Sequence, residues 1–226
     1  MLHAMPRPAL HHMLPRLAAV LCMVACLLCL SACHDEEQMW PSYVQDLACL
    51  QADADGRGTT LVLDNGTRYG VNNPPSGMEA HEARRVCTYY LLQANGGVRL
   101  MGTRSVLVAE AKHYAPDKCV CDPLTLMAAW TGGGFLNLRL ALMASAAGSH
   151  YLGFHLQEAV PQPDGALTQL LLLLHDQNAD PLYFTREVYL SMPLASLTAA
   201  TPQQADSVCL HVFTFKGETT LTLPLP

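Results

Sequence analysis

Thr59-Thr-Leu-Val-Leu-Asp64-Asn65-Gly66-Thr67-Arg-Tyr-Gly70 reads as two short strand-forming runs joined by Asn-Gly. Both central residues of a type I′ turn need positive φ, which Asn and Gly adopt most readily, so this stretch predicts a β-hairpin. The pattern repeats further along the chain. A second hairpin is expected between Arg85-Val-Cys-Thr-Tyr-Tyr-Leu-Leu92 and Val98-Arg-Leu-Met101 across Asn95-Gly96-Gly97, and Arg104 to Ala111 predicts one further strand. Between the hairpins, Asn72-Asn-Pro-Pro-Ser-Gly77 is excluded from a strand interior because its prolines lack ladder donors. Met78 to Arg84 leaves room for a short helix.

Asp117 to Pro123 is the natural joint, and strand-like runs resume after it at Thr125 to Trp130, Phe135 to Met143, Tyr151 to Glu158 and Leu167 to His175. The leucine-rich run at 170–174 is far too short for a membrane span and fits a strand buried on both faces, followed by the turn Asp176-Gln-Asn-Ala-Asp-Pro181. Arg186 to Met192, Ser207 to Lys216 and Thr219 to Leu225 complete the set. The expected fold class is therefore all-β, with a small barrel of about five strands over 43–116 and an antiparallel β-sandwich of about seven over 117–226.

Upstream of residue 43 the chain has a different character. Arg7 and Arg16 precede the apolar run Leu17 to Ala32, which is shorter than the roughly 20 residues a permanent span requires and reads as a cleaved signal over 1–32. Leu30-Ser31-Ala32-Cys33 resembles the lipobox of bacterial lipoproteins, making Cys33 the expected lipidated residue and the membrane its partner through that anchor. Several acyl tails on one cysteine hold far better than the single chain that binds only reversibly. Asp35, Glu36 and Glu37 then resemble a surface-export signal of Gram-negative anaerobes, with a plain acidic tether over 33–42 as the other reading. The expected location is the outer membrane, facing outward.

The whole chain has 13 basic and 19 acidic residues for a net charge of −6, and loss of Arg7 and Arg16 with the signal makes it more acidic still. Nucleic acid is not an expected partner, because binding it depends on cationic contacts to phosphate. Cys49, Cys87, Cys119, Cys121 and Cys209 remain in the mature part, and an exported protein can pair such thiols, with one left over. Cys119-Val-Cys121 with His113 and Asp122 nearby falls short of the four converging ligands zinc needs, so no metal or other cofactor is expected. Asp176, Asn178, Asp180 and Glu187 copy the spacing of a calcium loop, but Pro181 stands where that loop needs glycine. His150, His155, His175 and His211 form at most a dispersed set. No nucleophile elbow or phosphate-binding glycine loop is present, so an enzyme is not expected.

Several of these stretches together resemble the NigD-like lipoproteins: the lipobox and acidic start, Asp64-Asn65-Gly66, Arg84-Arg85-Val86, Asp122-Pro123, Trp130-Thr-Gly-Gly-Gly-Phe-Leu-Asn137, Leu172-Leu-Leu-His175-Asp176 and Tyr189-Leu-Ser-Met-Pro-Leu194. The resemblance implies an OB-type N-terminal domain, a C-terminal β-sandwich and no established enzymatic activity. It also implies an interaction or bacteriocin-immunity-type role, with an envelope protein or a bacteriocin as the partner. The alternative is a surface glycan-binding module, for which Trp130, Tyr151 and Tyr183 are the candidate contacts, with Tyr189 beside them.

Overall fold

The computed structural model describes residues 43–198 and 204–226, so the signal, Cys33 and the acidic residues Asp35, Glu36 and Glu37 lie outside the described residues. The N-terminal sheet comprises β1 (Val44–Ala52), β2 (Gly58–Leu63), β3 (Arg68–Gly70), β4 (Ala83–Leu92) and β5 (Val98–Ser105), in the order β3-β2-β1-β4-β5. All four of its pairings are antiparallel. Gly66 and Gly96 sit at φ +85° and +80°, but Asn65 and Asn95 do not share the positive φ that the expected type I′ turn requires. The Gly66 and Gly96 N–H groups donate to the Leu63 and Gln93 carbonyls, so each hairpin turns through a three-residue loop ending in a left-handed glycine. A bridge from Val71 to Val98 brings the two ends of the sheet together, bending it toward a barrel.

No helix forms between Met78 and Arg84. Residues 80–81 make a turn, and Ala83 and Arg84 already pair with Gln51 and Leu50 of β1. Seven residues offer too few helical hydrogen bonds to offset nucleation, whereas the ladder with β1 is at hand.

Period-two alternation gives the N-terminal sheet two distinct faces. One carries Ala48, Leu50, Leu61, Val86, Tyr90, Val98 and Leu100, which form their own apolar core with Val71. The other carries Leu47 opposite Cys87, Cys49 opposite Arg85, and Arg104 opposite Cys87.

Beyond Ser105, the single strand expected over 104–111 is broken into separate pieces. After the end of β5 come β6 (Leu107–Val108) and β7 (Ala111–Lys112), which join opposite layers of the sandwich. Three residues of extended chain reach about 10 Å, the spacing of stacked sheets, so the chain crosses from one layer to the other between Val108 and Ala111. The sandwich continues with β8 (Thr125–Gly132), β9 (Phe135–Ala144), β10 (Tyr151–Pro161), β11 (Leu167–Asp176), β12 (Phe184–Pro193), β13 (Ser207–Thr214) and β14 (Gly217–Pro224). A short helix α1 (Ala195–Thr198) follows β12. One layer has the order β14-β13-β11-β10-β7 and the other β6-β12-β9-β8. Three pairings are parallel, namely β10 with β7, β11 with β13 and β12 with β6, so the sandwich is mixed in direction.

Leu136, Leu138, Leu140 and Leu142 of β9 point into the sandwich and meet Phe154, Leu156, Leu171, Leu173, Leu190 and Val212, all nearly inaccessible to solvent. Alternation then turns Asn137 and Arg139 of β9, and Glu187, Tyr189 and Ser191 of β12, to the outer side of that layer. The N-terminal sheet covers this outer side, and residues 43–226 form one compact unit.

Candidate functional site

Where the N-terminal sheet meets the β6-β12-β9-β8 layer of the sandwich, one end is closed by a buried polar cluster. Arg85 of β4 has a side chain only 2% exposed. Its guanidinium donates to Asp64 Oδ2 at 2.7 Å and to Asn137 Oδ1 at 2.9 Å, and it lies 4.5 Å over the Phe135 ring. Ser191 Oγ donates to the same Asn137 oxygen at 2.7 Å. Asp64 comes from the first hairpin, Asn137 and Phe135 from β9 and Ser191 from β12, so the cluster ties the N-terminal sheet to the sandwich. The glycine run before Phe135 belongs to this closure. The Gly133 N–H donates to the Asp64 carbonyl at 3.0 Å, and a Cβ there would run into the Asp64 side chain.

From this closed end the layers part. Leu47, Cys87 and Val106 make a small apolar floor against Trp130 and Tyr189. Beyond it opens a cleft of about 690 Å³ lined by Gln45, Asp46, Leu47, Asp64, Cys87, Tyr89, Arg104, Ala128, Trp130, Arg139, Glu187 and Tyr189. Register explains the lining. Gln45 faces Tyr89 across β1 and β4, Ala128 and Trp130 face Arg139 and Asn137 across β8 and β9, and Arg139 faces Tyr189 across β9 and β12. Gln45 Nε2 donates to the Tyr189 hydroxyl at 3.2 Å, spanning the two layers.

Arg139 donates to Glu187 at 2.6 Å and holds its carboxyl below the usual carboxylate range, with Arg104 adding a smaller push in the same direction. Burial pushes the Tyr189 hydroxyl up. The arrangement presents planar hydrogen-bonding groups and aromatic rings along one cleft. Among the described residues no three or more His, Cys, Asp or Glu converge closely enough to hold a metal ion.

Residues 107–225, more than half of the chain, match the model of the NigD-like C-terminal β-sandwich domain. The chain belongs to the NigD-like family. A NigD-like immunity protein from Bacteroides caccae ATCC 43185 superposes with a TM-score of 0.64 at 25% identity, covering 81% of this chain and 92% of that one. A protein assigned as toxin-related from Parabacteroides distasonis ATCC 8503 gives 0.65 at 17% identity, with 81% and 93% covered. One assigned as a lipoprotein from Bacteroides fragilis NCTC 9343 gives 0.57 at 9% identity, with 81% and 98% covered. The last two likenesses are of fold alone. No curated protein matches the chain.

In this NigD-like protein four of the stretches that carried the resemblance meet in space, while Asp122 and His175 meet each other elsewhere. Asp64, Arg85, the Trp130 to Asn137 segment and Ser191 build the closed end and the cleft floor. The aromatics singled out from the sequence are dispersed: Trp130 and Tyr189 line the cleft, but Tyr151 does not. Tyr151 lies in a smaller pocket beside Tyr114, whose hydroxyl is 2.7 Å away. Burial and that contact push Tyr114 up to about 12. Tyr183 is 77% exposed and lines neither pocket.

The five described cysteines are all free thiols, so the pairing expected of an exported chain is not seen. Cys119 and Cys121 are held instead by weak contacts to carbonyls at Ala115, Cys119 and Leu173.

Two of the dispersed histidines do meet. His150 Nδ1 lies 2.8 Å from His175 Nε2, the rings stack at 5.1 Å, and His150 Nε2 lies 3.0 Å from Asp180, which also binds Ser145. Sequence reasoning missed this chain, and it missed the cleft residues Gln45, Tyr89, Arg104, Arg139 and Glu187. Only their alternation along strands hinted that these side chains share one face.

Proposed function

We propose that this NigD-like chain is a non-enzymatic, lipid-anchored envelope protein whose recognition surface is the cleft between its two β layers. In this reading Cys33 carries the anchor, Asp35, Glu36 and Glu37 direct the chain to the outer face of the outer membrane, and residues 33–42 are the tether. An OB-type N-terminal unit and the C-terminal sandwich each supply one wall.

The observation that carries the reading is the cleft, where aromatic and planar polar side chains are held beside a buried Arg85–Asp64 lock. Such a surface is built to hold a partner in one orientation, because its groups are positioned before binding. The similarity to an immunity protein supports an immunity-type role at the envelope.

The test is a crosslinking pull-down from intact cells with three tagged forms: the unaltered chain, Cys33→Ala and Arg104→Ala. One dominant partner, lost with the anchor and weakened by Arg104→Ala, is the expected result. A partner captured equally by all three forms would overturn both the anchor and the cleft.

A further inference from the structure

Of the twelve residues lining the cleft, Tyr89, Trp130 and Tyr189 are aromatic, a quarter of the lining in a chain with only 7% aromatics. Six others, Gln45, Asp46, Asp64, Arg104, Arg139 and Glu187, carry planar groups that donate or accept hydrogen bonds in pairs. Leu47, Cys87 and Ala128 make up the small apolar remainder.

Several ligand classes fit this lining poorly. The two arginines stand among three carboxylates, so a polyanion finds no excess of positive charge. A cation finds the carboxylates already engaged: Asp64 accepts from Arg85, Glu187 from Arg139, and Asp46 from the Tyr90 hydroxyl at 2.7 Å. A purely apolar ligand would desolvate the Arg104 guanidinium without pairing it, at a cost.

A sugar ring satisfies both kinds of residue. Its C–H face lies flat on an aromatic ring, and its neighbouring hydroxyls pair with the two-pronged edge of an amide, guanidinium or carboxylate. We propose that the cleft binds a neutral saccharide stacked on the cleft aromatics, with the Arg104 guanidinium and the Gln45 amide oxygen reading its hydroxyls. A cleft of 690 Å³ falls within the roughly 300–1,000 Å³ that encloses small ligands, room for about two or three rings. This inference rests on the reading of the cleft as the recognition surface and names the ligand class for it.

The test titrates the detergent-purified full chain with maltotriose, cellotriose and mannotriose, read by calorimetry and by tryptophan fluorescence. Trp40 and Trp130 are the two tryptophans, so a fluorescence change that Trp130→Phe abolishes reports on the cleft. At least one trisaccharide should bind with Kd between about 10 μM and 1 mM. Arg104→Ala and Tyr89→Ala should weaken binding at least tenfold while melting within a few degrees of the parent. Tyr183→Ala, remote from the cleft, should leave binding unchanged.

No response to any of the three sugars at about 10 mM overturns the saccharide assignment. So does binding that survives Arg104→Ala and Trp130→Phe but is lost with Tyr183→Ala. If the sugars fail yet Arg104→Ala still releases a crosslinked protein partner, the saccharide falls and the cleft stands as a protein site. If Arg104→Ala changes neither sugar binding nor partner capture, the cleft reading falls as well.

Discussion

Replacing Asp64 by alanine tests how the two β layers are joined. Arg85 is 2% exposed and Asp64 19%, and the carboxylate is the sole opposite charge bonded to that guanidinium among the described residues. After Asp64→Ala, Arg85 keeps the Asn137 oxygen at 2.9 Å, the Ser191 hydroxyl at 3.4 Å and the Phe135 face, none of them charged. Breaking a buried ion pair from one side costs about 3–5 kcal/mol, chiefly from the stranded charge. Water reaches Asp64 in part, which places the expected loss at the lower end, about 3 kcal/mol.

For a chain of this size each kcal/mol moves Tm by about 2–4 °C, so the variant should melt about 6–12 °C lower. Urea unfolding followed by circular dichroism gives the free energy directly. The double variant Asp64→Leu, Arg85→Met removes both charges and should recover most of the loss, because an apolar pair strands no ion. A cost below about 1 kcal/mol for Asp64→Ala would refute the buried-lock argument. A double variant less stable than the single would do the same.

Gly133→Ala should destabilise by more than about 2 kcal/mol, since φ is +62° and the added Cβ meets Asp64. Gly134→Ala, at φ +81° with open space around it, should cost only about 1 kcal/mol of backbone strain, and equal melting of the two variants would contradict the close approach. Acidification should also destabilise the fold. Burial holds His175 below its ordinary value, and hydrogen bonds from Ser145 hold Asp180 lower still than a usual carboxylate. For both groups the folded state binds fewer protons than the unfolded one, so stability is full above the unfolded His value near 6.5. It falls as pH drops from there, with a second loss as Asp180 protonates below the ordinary carboxylate range. Urea midpoints from pH 7.5 to about 3 should decline, and a flat or rising profile would remove the argument. By contrast, Glu187→Gln should shift thermal stability by less than about 1 kcal/mol, because the Arg139–Glu187 pair is 41% and 31% exposed.

The hairpins at Asn65-Gly66 and Asn95-Gly97 were legible in the sequence, and so were most strand positions from β8 to β14. Turn geometry and period-two alternation act over a few neighbouring residues, and those residues are adjacent in the chain. The all-β class and the NigD-like resemblance follow from the same local features. What remained hidden depends on partners far along the chain. Nothing local to Arg84-Arg85 marks either side chain for burial, yet Arg85 is buried, because Asp64 lies 21 residues back and Asn137 52 residues on, in another layer. His150, His175 and Asp180 align only once β10 and β11 pair. Trp130, Tyr151 and Tyr183 looked like one platform and lie on separate surfaces. The residues from 104 to 111 form separate strands because the stacking of three sheets, invisible in a local pattern, requires the chain to leave one layer and cross between the other two. Local chemistry decides which residues extend and where they turn. Which faces meet, and which charges end up buried between them, is set by layer packing, where the free energy lies in contacts between residues distant in sequence.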